Sequence, residues 1–161
     1  MSKGLAILTS GGDSAGMNPA VKCAVDYATQ KGYETHLIYD GLRGLIADRV
    51  VPATRELTCG MLHRGGTLLR SSRSPEFFDI EVRRVAFENL KRRGIEKLIV
   101  IGGDGSFRAL NQFYSDFGVP FAGIPATIDN DIATSRSTPS PMRNTGSIRN
   151  CSDWPVRWRF E

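Results

Sequence analysis

The 161-residue sequence is poor in the residues that disulfides and zinc sites require. It contains three Cys and two His, and no two cysteines have the two-residue separation typical of a zinc site. An odd number of widely spaced cysteines does not form a disulfide framework, so we expect a reducing compartment, the cytoplasm. Cys23 is expected to be a small apolar residue on a helix.

The sequence also lacks a long hydrophobic run. The apolar run near the amino terminus covers only residues 5–8, which is too short for a signal-peptide core or a membrane span. Hydrophobic residues make up 40% of the chain and charged residues 24%, as is usual for a soluble globular protein. A chain of this length can bury a sizeable core without a disulfide or metal staple, and no membrane partner is expected.

Positive charge is concentrated at one end of the chain. Residues 133–161 carry five Arg against Asp153 and Glu161, a net charge of +3, which leaves +1 of the total of +4 for residues 1–132. Residues 1–132 therefore have no basic stripe, and we expect no nucleic-acid partner. Ser, Thr, Pro and Arg supply 16 of the last 29 residues without a hydrophobic period, so we expect an irregular, disordered tail there.

Strand-like and helix-like segments alternate along residues 1–132. Apolar runs predict strands at residues 5–9, 34–39, 97–101 and 119–124, with a short extended piece at 50–51. Apolar residues spaced by three and four predict helices after Asn18, over residues 81–93 and after Ser106. We expect an α/β domain whose parallel sheet has helices on both faces and binds ligands outside the carboxyl ends of its strands. Asn18 is expected to cap the first helix, and Val85 to lie on the inward face of the second.

Two glycine-rich segments follow predicted strands and precede predicted helices. Residues 11–18 read GGDSAGMN and residues 102–106 read GGDGS. Glycines let backbone N–H groups approach a phosphate closely, and the start of a helix adds the positive end of its dipole. Asp104 can hold Mg²⁺ directly or through water, and Ser106 can cap the helix that follows. Neither segment has the Walker or GxGxxG spacing, and each alone also fits a tight strand-to-helix turn.

Two further segments carry charged groups that suit phosphate chemistry. Residues 127–131, TIDND, hold two carboxylates one residue apart, which suits a site where an aspartate takes a proton. A polar loop of turn residues is the alternative for that segment. Arg73 lies among small polar residues and can bridge the phosphate oxygens of ATP, and the alternative is a solvated loop arginine.

Together these segments resemble the ATP-dependent 6-phosphofructokinase family, over about residues 4–132. The matching strings are LTSGGD at 8–13, YDG at 39–41, RGGT at 64–67, RSPEF at 73–77, IGGDGS at 101–106 and IPATIDND at 124–131. The resemblance implies glycolytic transfer of the γ-phosphoryl group of ATP to the 1-hydroxyl of fructose 6-phosphate, with Mg²⁺.

The resemblance also implies roles for single residues. The implied ATP contacts are Gly12, Arg73, Ser74, Gly103, Asp104, Gly105 and Ser106. Asp104 would serve magnesium. Thr127, Asp129 and Asp131 would face the sugar phosphate, with Asp129 as the catalytic base and Asp131 supporting the reacting phosphoryl group. Members that use diphosphate tend to carry Asp in place of Gly105, so the resemblance favours ATP. Full-length members form homotetramers, and the resemblance leaves open whether this chain does.

Three positions depart from the family pattern. Ala126 stands in place of the usual glycine, a substitution that strains the loop if this position needs a positive φ. Lys22 and Asp26 stand where bacterial members carry arginines of the effector site, whereas Arg55 is retained. Because Asp26 reverses a charge where a phosphate would bind, we do not expect bacterial-style allosteric control.

The sequence leaves the family pattern after Ile132. Family members continue through the rest of the first domain and a second domain, which help to hold fructose 6-phosphate. We therefore expect a frameshifted, misassembled or truncated reading frame, in which residues 1–132 form an incomplete nucleotide-binding domain and residues 133–161 a non-family tail. Efficient turnover is not expected.

Three alternatives to a phosphofructokinase activity stay open. The chain could be a catalytically silent Mg-ATP-binding fragment, a diphosphate-dependent enzyme, or another kinase with the Gly-Gly-Asp-Gly turn, such as an NAD or lipid kinase. The glycine spacing disfavours a redox dinucleotide protein.

Overall fold

Strands and helices alternate along residues 3–126, the part of the chain that the computed structural model describes. The strands are β1 (Gly4–Thr9), β2 (Glu34–Ile38), β3 (Val50–Pro52), β4 (Ile95–Gly102) and β5 (Phe121–Pro125). The α-helices are α1 (Met17–Gln30), α2 (Gly41–Ile46), α3 (Arg55–Thr58), α4 (Ile80–Arg92) and α5 (Asp104–Phe117), with 3₁₀ turns at Met61–His63 and Pro75–Phe78. The tail predicted at residues 133–161 lies outside the described residues.

The five strands form one sheet in the order β3-β2-β1-β4-β5. The pairs β1–β2, β1–β4 and β4–β5 are parallel, as the alternation of strands and helices predicted, and Ile7 at the centre lies between Leu37 and Ile99. The edge strand β3 differs, because it runs antiparallel to β2. Only residues 39–49 connect these two strands, whereas a parallel crossover needs about a dozen residues or more.

Helices cover both faces of the sheet, so the predicted architecture is confirmed. Every residue of β1 is buried, as is typical of a central parallel strand. Successive side chains alternate: Leu8 belongs to the core under α4 and α5, and Ile7 to the core under α1. The largest buried aromatics are Phe77 and Phe113, whose ring centroids lie 5.6 Å apart. The two cores thus enclose the sheet between its helices.

The first helix begins differently from the prediction. It starts at Met17, with Gly16 at the N-cap position and no side-chain cap. The prediction that Asn18 caps the helix is therefore wrong, because its side chain is buried and is bonded to the loop at residues 64–68 instead. Cys23 lies on this helix as predicted, but it is exposed on the outer face.

The inward face of α4 is also rotated relative to the prediction. Val85 is 49% exposed, so its placement on the inward face is wrong. The buried residues are Arg83, Ala86, Asn89 and Leu90. Arg83 can occupy a core position because its charge is paired with Asp116 of α5. A pattern of apolar residues alone does not reveal a buried, paired arginine.

The α-helices of residues 3–126 are between four and fourteen residues long. In that part of the chain, no helix has both the length and the apolar character needed to cross a membrane.

Candidate functional site

The two glycine-rich loops leave the sheet side by side. Strands β1 and β4 are parallel neighbours in which Thr9 lies opposite Ile101, so both chains pass from strand to loop at one edge. The N–H of Ser10 donates to the carbonyl of Ile101 at 2.9 Å, and the hydroxyl of Ser106 donates to that of Ser10, also at 2.9 Å. The two glycine-rich segments therefore meet at the carboxyl ends of their strands, as predicted.

Glycine is required where the two loops touch. A Cβ on Gly102 would lie 2.6 Å from the carbonyl oxygen of Ser10 and 3.2 Å from the hydroxyl of Ser106. Gly11 has a φ of 90° and lies close to the same hydroxyl, at 3.5 Å from its Cβ position. By contrast, Cβ atoms on Gly12 and Gly105 would meet nothing within 4 Å. Gly11 and Gly102 therefore allow the two loops to pack together. Gly12 and Gly105 line open space at this edge of the sheet, which we call the glycine-rich rim.

Asp104 is the first residue of α5, directly after the second loop. Gly103 occupies the N-cap position without a side-chain cap, so Ser106, which lies inside the helix, does not cap it as predicted. The Ser106 hydroxyl instead holds the first loop through Ser10. The Asp104 carboxylate forms a salt bridge with Arg108, whose Nε lies 2.7 Å away and one helical turn further on. Sequence reasoning missed this arginine, although its spacing of four residues from Asp104 was a usable signal.

A third loop, residues 64–74, packs against the ends of β1 and α1. The Thr9 hydroxyl donates to the carbonyl of Arg70 at 2.7 Å and lies 2.8 Å from the Thr67 hydroxyl. Asn18 donates to the carbonyl of Arg64 at 3.0 Å and accepts from the N–H of Leu68 at 2.7 Å. These contacts explain why Asn18 is buried, and they fix the loop beside the glycine-rich rim.

The end of this loop brings Arg73 and Ser74 to the same edge of the sheet. The Ser72 hydroxyl donates to the carbonyl of Asp40 at 2.7 Å and lies 3.4 Å from the hydroxyl of Ser74, which is buried. Gly41 allows this segment to lie close to the end of β1, since a Cβ there would lie 2.7 Å from the carbonyl oxygen of Thr9. Arg73 is exposed. Its backbone is thus anchored on both sides while its side chain is accessible.

The segment of residues 127–131 lies outside the described residues, and with it Thr127, Asp129 and Asp131. The last described residue, Ala126, donates its N–H to the carbonyl of Gly102 at 2.8 Å, beside the second glycine loop. Within residues 3–126, the non-glycine residues with positive φ are Asp40, Asp48 and Arg70. Ala126 is not one of them, so the condition for strain at this position is not met.

The two residues that depart from the family pattern at the expected effector site, Lys22 and Asp26, pair with each other. Lys22 and Asp26 form a salt bridge one turn apart on α1. Arg55 is the first residue of the short helix α3. The lysine charge that replaces an arginine is thus largely compensated within the helix itself.

A divalent cation at the rim would need ligands from its nucleotide. Residues 3–126 contain no group of three His, Cys, Asp or Glu residues able to hold a metal ion. Asp104 offers one carboxylate. Mg²⁺ commonly binds through one or two carboxylates together with phosphate oxygens and water, so the Asp104 carboxylate suits a magnesium ion that arrives with phosphate ligands.

Sequence comparisons agree with this geometry. The family described as Phosphofructokinase matches residues 4–139, which extends seven residues past Ile132. An ATP-dependent 6-phosphofructokinase of Wolinella succinogenes is 51% identical over 131 residues, which cover 81% of this chain and 41% of the relative. The enzyme of the same name from Fusobacterium nucleatum is 46% identical over 132 residues, covering 82% of this chain and 41% of the relative. The chain thus spans about two fifths of the length of these relatives.

Comparisons with solved structures lead to the same fold. The phosphofructokinase of Saccharomyces cerevisiae superposes with a TM-score of 0.81 at 33% identity, over 85% of this chain and 22% of that one. A pyrophosphate-dependent phosphofructokinase from Nitrosospira multiformis superposes with a TM-score of 0.71 at 17% identity, over 83% of this chain and 36% of that one, which supports the fold alone. With a family match over residues 4–139, the chain belongs to the phosphofructokinase family.

Proposed function

We propose that this chain carries the nucleotide-binding part of an ATP-dependent 6-phosphofructokinase. Such an enzyme transfers the γ-phosphoryl group of ATP to the 1-hydroxyl of fructose 6-phosphate. The observation that carries the proposal is the interlocking of two glycine-rich loops through Ser10 and Ser106 at the carboxyl ends of β1 and β4. The names of the curated relatives support ATP as the phosphoryl donor.

The rim residues supply what phosphoryl transfer requires, namely positioning and neutralised charge. Gly12, Gly103 and Gly105 let backbone N–H groups approach the phosphates, and the start of α5 adds the positive end of its dipole. Arg73 neutralises phosphate charge and can bond two oxygens at once. Ser74 and Ser106, both buried, hold their loops in place next to the nucleotide.

Asp104 is the residue we propose to serve Mg²⁺. It is the first residue of α5, directly after Gly103, and its side chain is 36% exposed. Held there together with ATP, Mg²⁺ would supply positive charge that offsets the negative charge of the phosphates during transfer. The aspartate then fixes the position of the magnesium nucleotide relative to the loops.

The sugar-phosphate side of the reaction is assigned to residues 127–131. In the proposal, Asp129 accepts the proton of the fructose 1-hydroxyl while that oxygen attacks the γ-phosphorus. The bond between the γ-phosphorus and the β–γ bridging oxygen breaks, and ADP leaves with the electron pair. Thr127 orients the sugar phosphate, and Asp131 supports the reacting phosphoryl group. The support for these roles is the match of the string IPATIDND to the family pattern.

Gly105 is the residue we connect with the choice of donor. Members that use diphosphate tend to carry Asp at this position, and a Cβ here would meet nothing within 4 Å. An aspartate would therefore fit the fold, so the glycine is not required by packing. We propose that it leaves room for the nucleotide and avoids placing a second carboxylate near the phosphates.

Calorimetry and a coupled enzyme assay test the proposal together. We expect the purified chain to bind Mg-ATP but to turn over fructose 6-phosphate far more slowly than the full-length Wolinella succinogenes relative. Lack of ATP binding by a chain that melts cooperatively would contradict the nucleotide site. Turnover near that of the full-length relative would contradict the expected impairment.

A silent Mg-ATP-binding fragment is the second candidate function. It is favoured by the extent of the match, since the chain spans 41% of the length of the curated relatives. Binding of Mg-ATP without any turnover, unchanged by Asp129→Asn, would identify this candidate. We further propose a cytoplasmic location, fructose 6-phosphate as the small-molecule partner, and a homo-oligomer as the assembly of full-length members.

A further inference from the structure

Asp104, the proposed magnesium ligand, already has a cation beside it. Nε of Arg108 lies 2.7 Å from its Oδ2, one turn further along α5. The aspartate side chain is 36% exposed and that of the arginine 76%. The pair is therefore open to solvent, with no packing around the guanidinium that would prevent it from leaving.

The position of the pair on the helix makes Arg108 a poor permanent partner. The start of a helix stabilises negative charge and disfavours positive charge, so Asp104 is well placed and Arg108 is held there mainly by the aspartate. Exposed pairs of this kind contribute little to stability. A divalent cation carries twice the charge of the guanidinium and would compete with it for the same oxygens.

From these contacts we infer that Arg108 is a displaceable counter-cation of Asp104. It neutralises the carboxylate while no magnesium nucleotide is bound, and it gives way when Mg²⁺ reaches that carboxylate. The inference rests on the proposed function, because it takes Asp104 as the residue that serves Mg²⁺. Arg108 is thus a positioning residue that sets how strongly ATP binding depends on magnesium.

The inference predicts how magnesium and ATP binding are coupled. Without Mg²⁺, Arg108 reduces the repulsion between Asp104 and the ATP phosphates. With Mg²⁺, the arginine must be displaced, which opposes binding. The ratio of the dissociation constant of metal-free ATP to that of Mg-ATP measures both effects, and it cancels the part of the attraction of Arg108 for phosphates that is common to the two forms of ATP.

The experiment is calorimetric titration of the 161-residue chain with ATP, in excess EDTA and in excess Mg²⁺. Arg108→Gln is expected to raise the ratio of the two dissociation constants about two- to fivefold, the range for an exposed ion pair. Arg108→Lys keeps the charge and is expected to restore most of the original ratio. Thermal melts of each variant show that the exposed substitution leaves the fold intact.

Arg84→Gln is the matched control. Arg84 also forms an exposed pair with a carboxylate on its own helix, because it lies 3.1 Å from Glu81 of α4. The substitution Arg84→Gln therefore removes the same charge at a place away from the rim. It is expected to leave the ratio unchanged. An unchanged ratio in Arg108→Gln, or an equal change in Arg84→Gln, would overturn the inference while the proposed function stands. Absence of ATP binding by the folded original chain would overturn both.

Discussion

Gly102, the last residue of β4, and Gly105, in the first turn of α5, belong to the same GGDGS string but have opposite surroundings. A Cβ at Gly102 would lie 2.6 Å from the backbone oxygen of Ser10, which belongs to the neighbouring loop and cannot move without moving β1. A Cβ at Gly105 would meet nothing within 4 Å. The string GGDGS therefore contains one glycine that the fold demands and one that the fold merely permits.

These surroundings predict opposite effects on stability. Gly102→Ala is expected to lower the free energy of unfolding by about 1–3 kcal/mol, because the two loops must separate. Gly105→Ala places a better helix former in the first turn of α5 and is expected to raise it by up to about 1 kcal/mol. Urea denaturation of both variants measures the difference. Equal effects of the two substitutions would show that the loops are not interlocked in solution.

We expect Asp48 to contribute to the loss of stability of the fold in acid. Its carboxylate accepts from Nε of Arg93 at 2.6 Å and from a terminal nitrogen of the same guanidinium at 2.9 Å. This hydrogen bonding holds the pKa of Asp48 below its ordinary value of 3.8, with a smaller Coulombic contribution from Arg93 and then Arg92. A carboxyl whose pKa is lowered by folding stabilises the protein above its unfolded pKa. That contribution is lost as the pH falls through the lowered value.

Melting temperatures measured from pH 6 down to about pH 3 test this contribution. Asp48→Asn is expected to melt at a lower temperature than the original chain at pH 6, and the two are expected to converge as the pH falls. Asparagine tolerates the left-handed φ of 56° at this position, so backbone strain does not confuse the comparison. A constant difference across the range would contradict the role of the carboxylate charge.

At the scale of elements, the link between α4 and α5 depends on one buried arginine. Nε of Arg83 lies 2.6 Å from Oδ2 of Asp116, and Nη1 of the same guanidinium donates to the carbonyl of Phe77 at 3.0 Å. The arginine thus joins both helices to the 3₁₀ turn that follows Arg73 and Ser74. This turn is therefore held by a charge pair as well as by apolar packing.

Removing one partner of this pair leaves a buried charge without compensation. Asp116→Ala is expected to lower the free energy of unfolding by about 3 kcal/mol. Arg84→Gln, which breaks the exposed pair with Glu81 on the same helix α4, is expected to change it by less than about 0.5 kcal/mol. Chemical denaturation distinguishes the two. A small effect of Asp116→Ala would mean that Arg83 reaches solvent when its partner is lost.

The elements themselves were largely predictable, and the exceptions have physical causes. Long periodic segments such as α5 and the apolar run of β4 were found because their patterns are local. The antiparallel direction of β3 was not, because direction depends on how the connection from β2 is closed. Val85 was placed on the wrong face because an apolar period assigns the inward face by hydrophobicity, whereas α4 buries Arg83.

At the scale of the whole molecule, the site is a product of strand order. The first glycine loop, the loop that ends at Ser74 and the second glycine loop are separated by dozens of residues in the sequence. They meet because β1 stands next to β4 and because Asn18 and Thr9 hold the intervening loop. The match to the phosphofructokinase family covers this same arrangement.

The sequence alone was enough to establish the α/β class, the glycine-rich segments and the resemblance to the phosphofructokinase family, since each depends on residue types at fixed local spacing. The tertiary structure decided which glycines are required, why Asn18 is buried, and that Arg83 lies in the core. The reason is that a polar or charged side chain is buried only where a partner from elsewhere in the chain compensates its lost hydration. That partner is set by the packing of distant elements, which no local pattern contains.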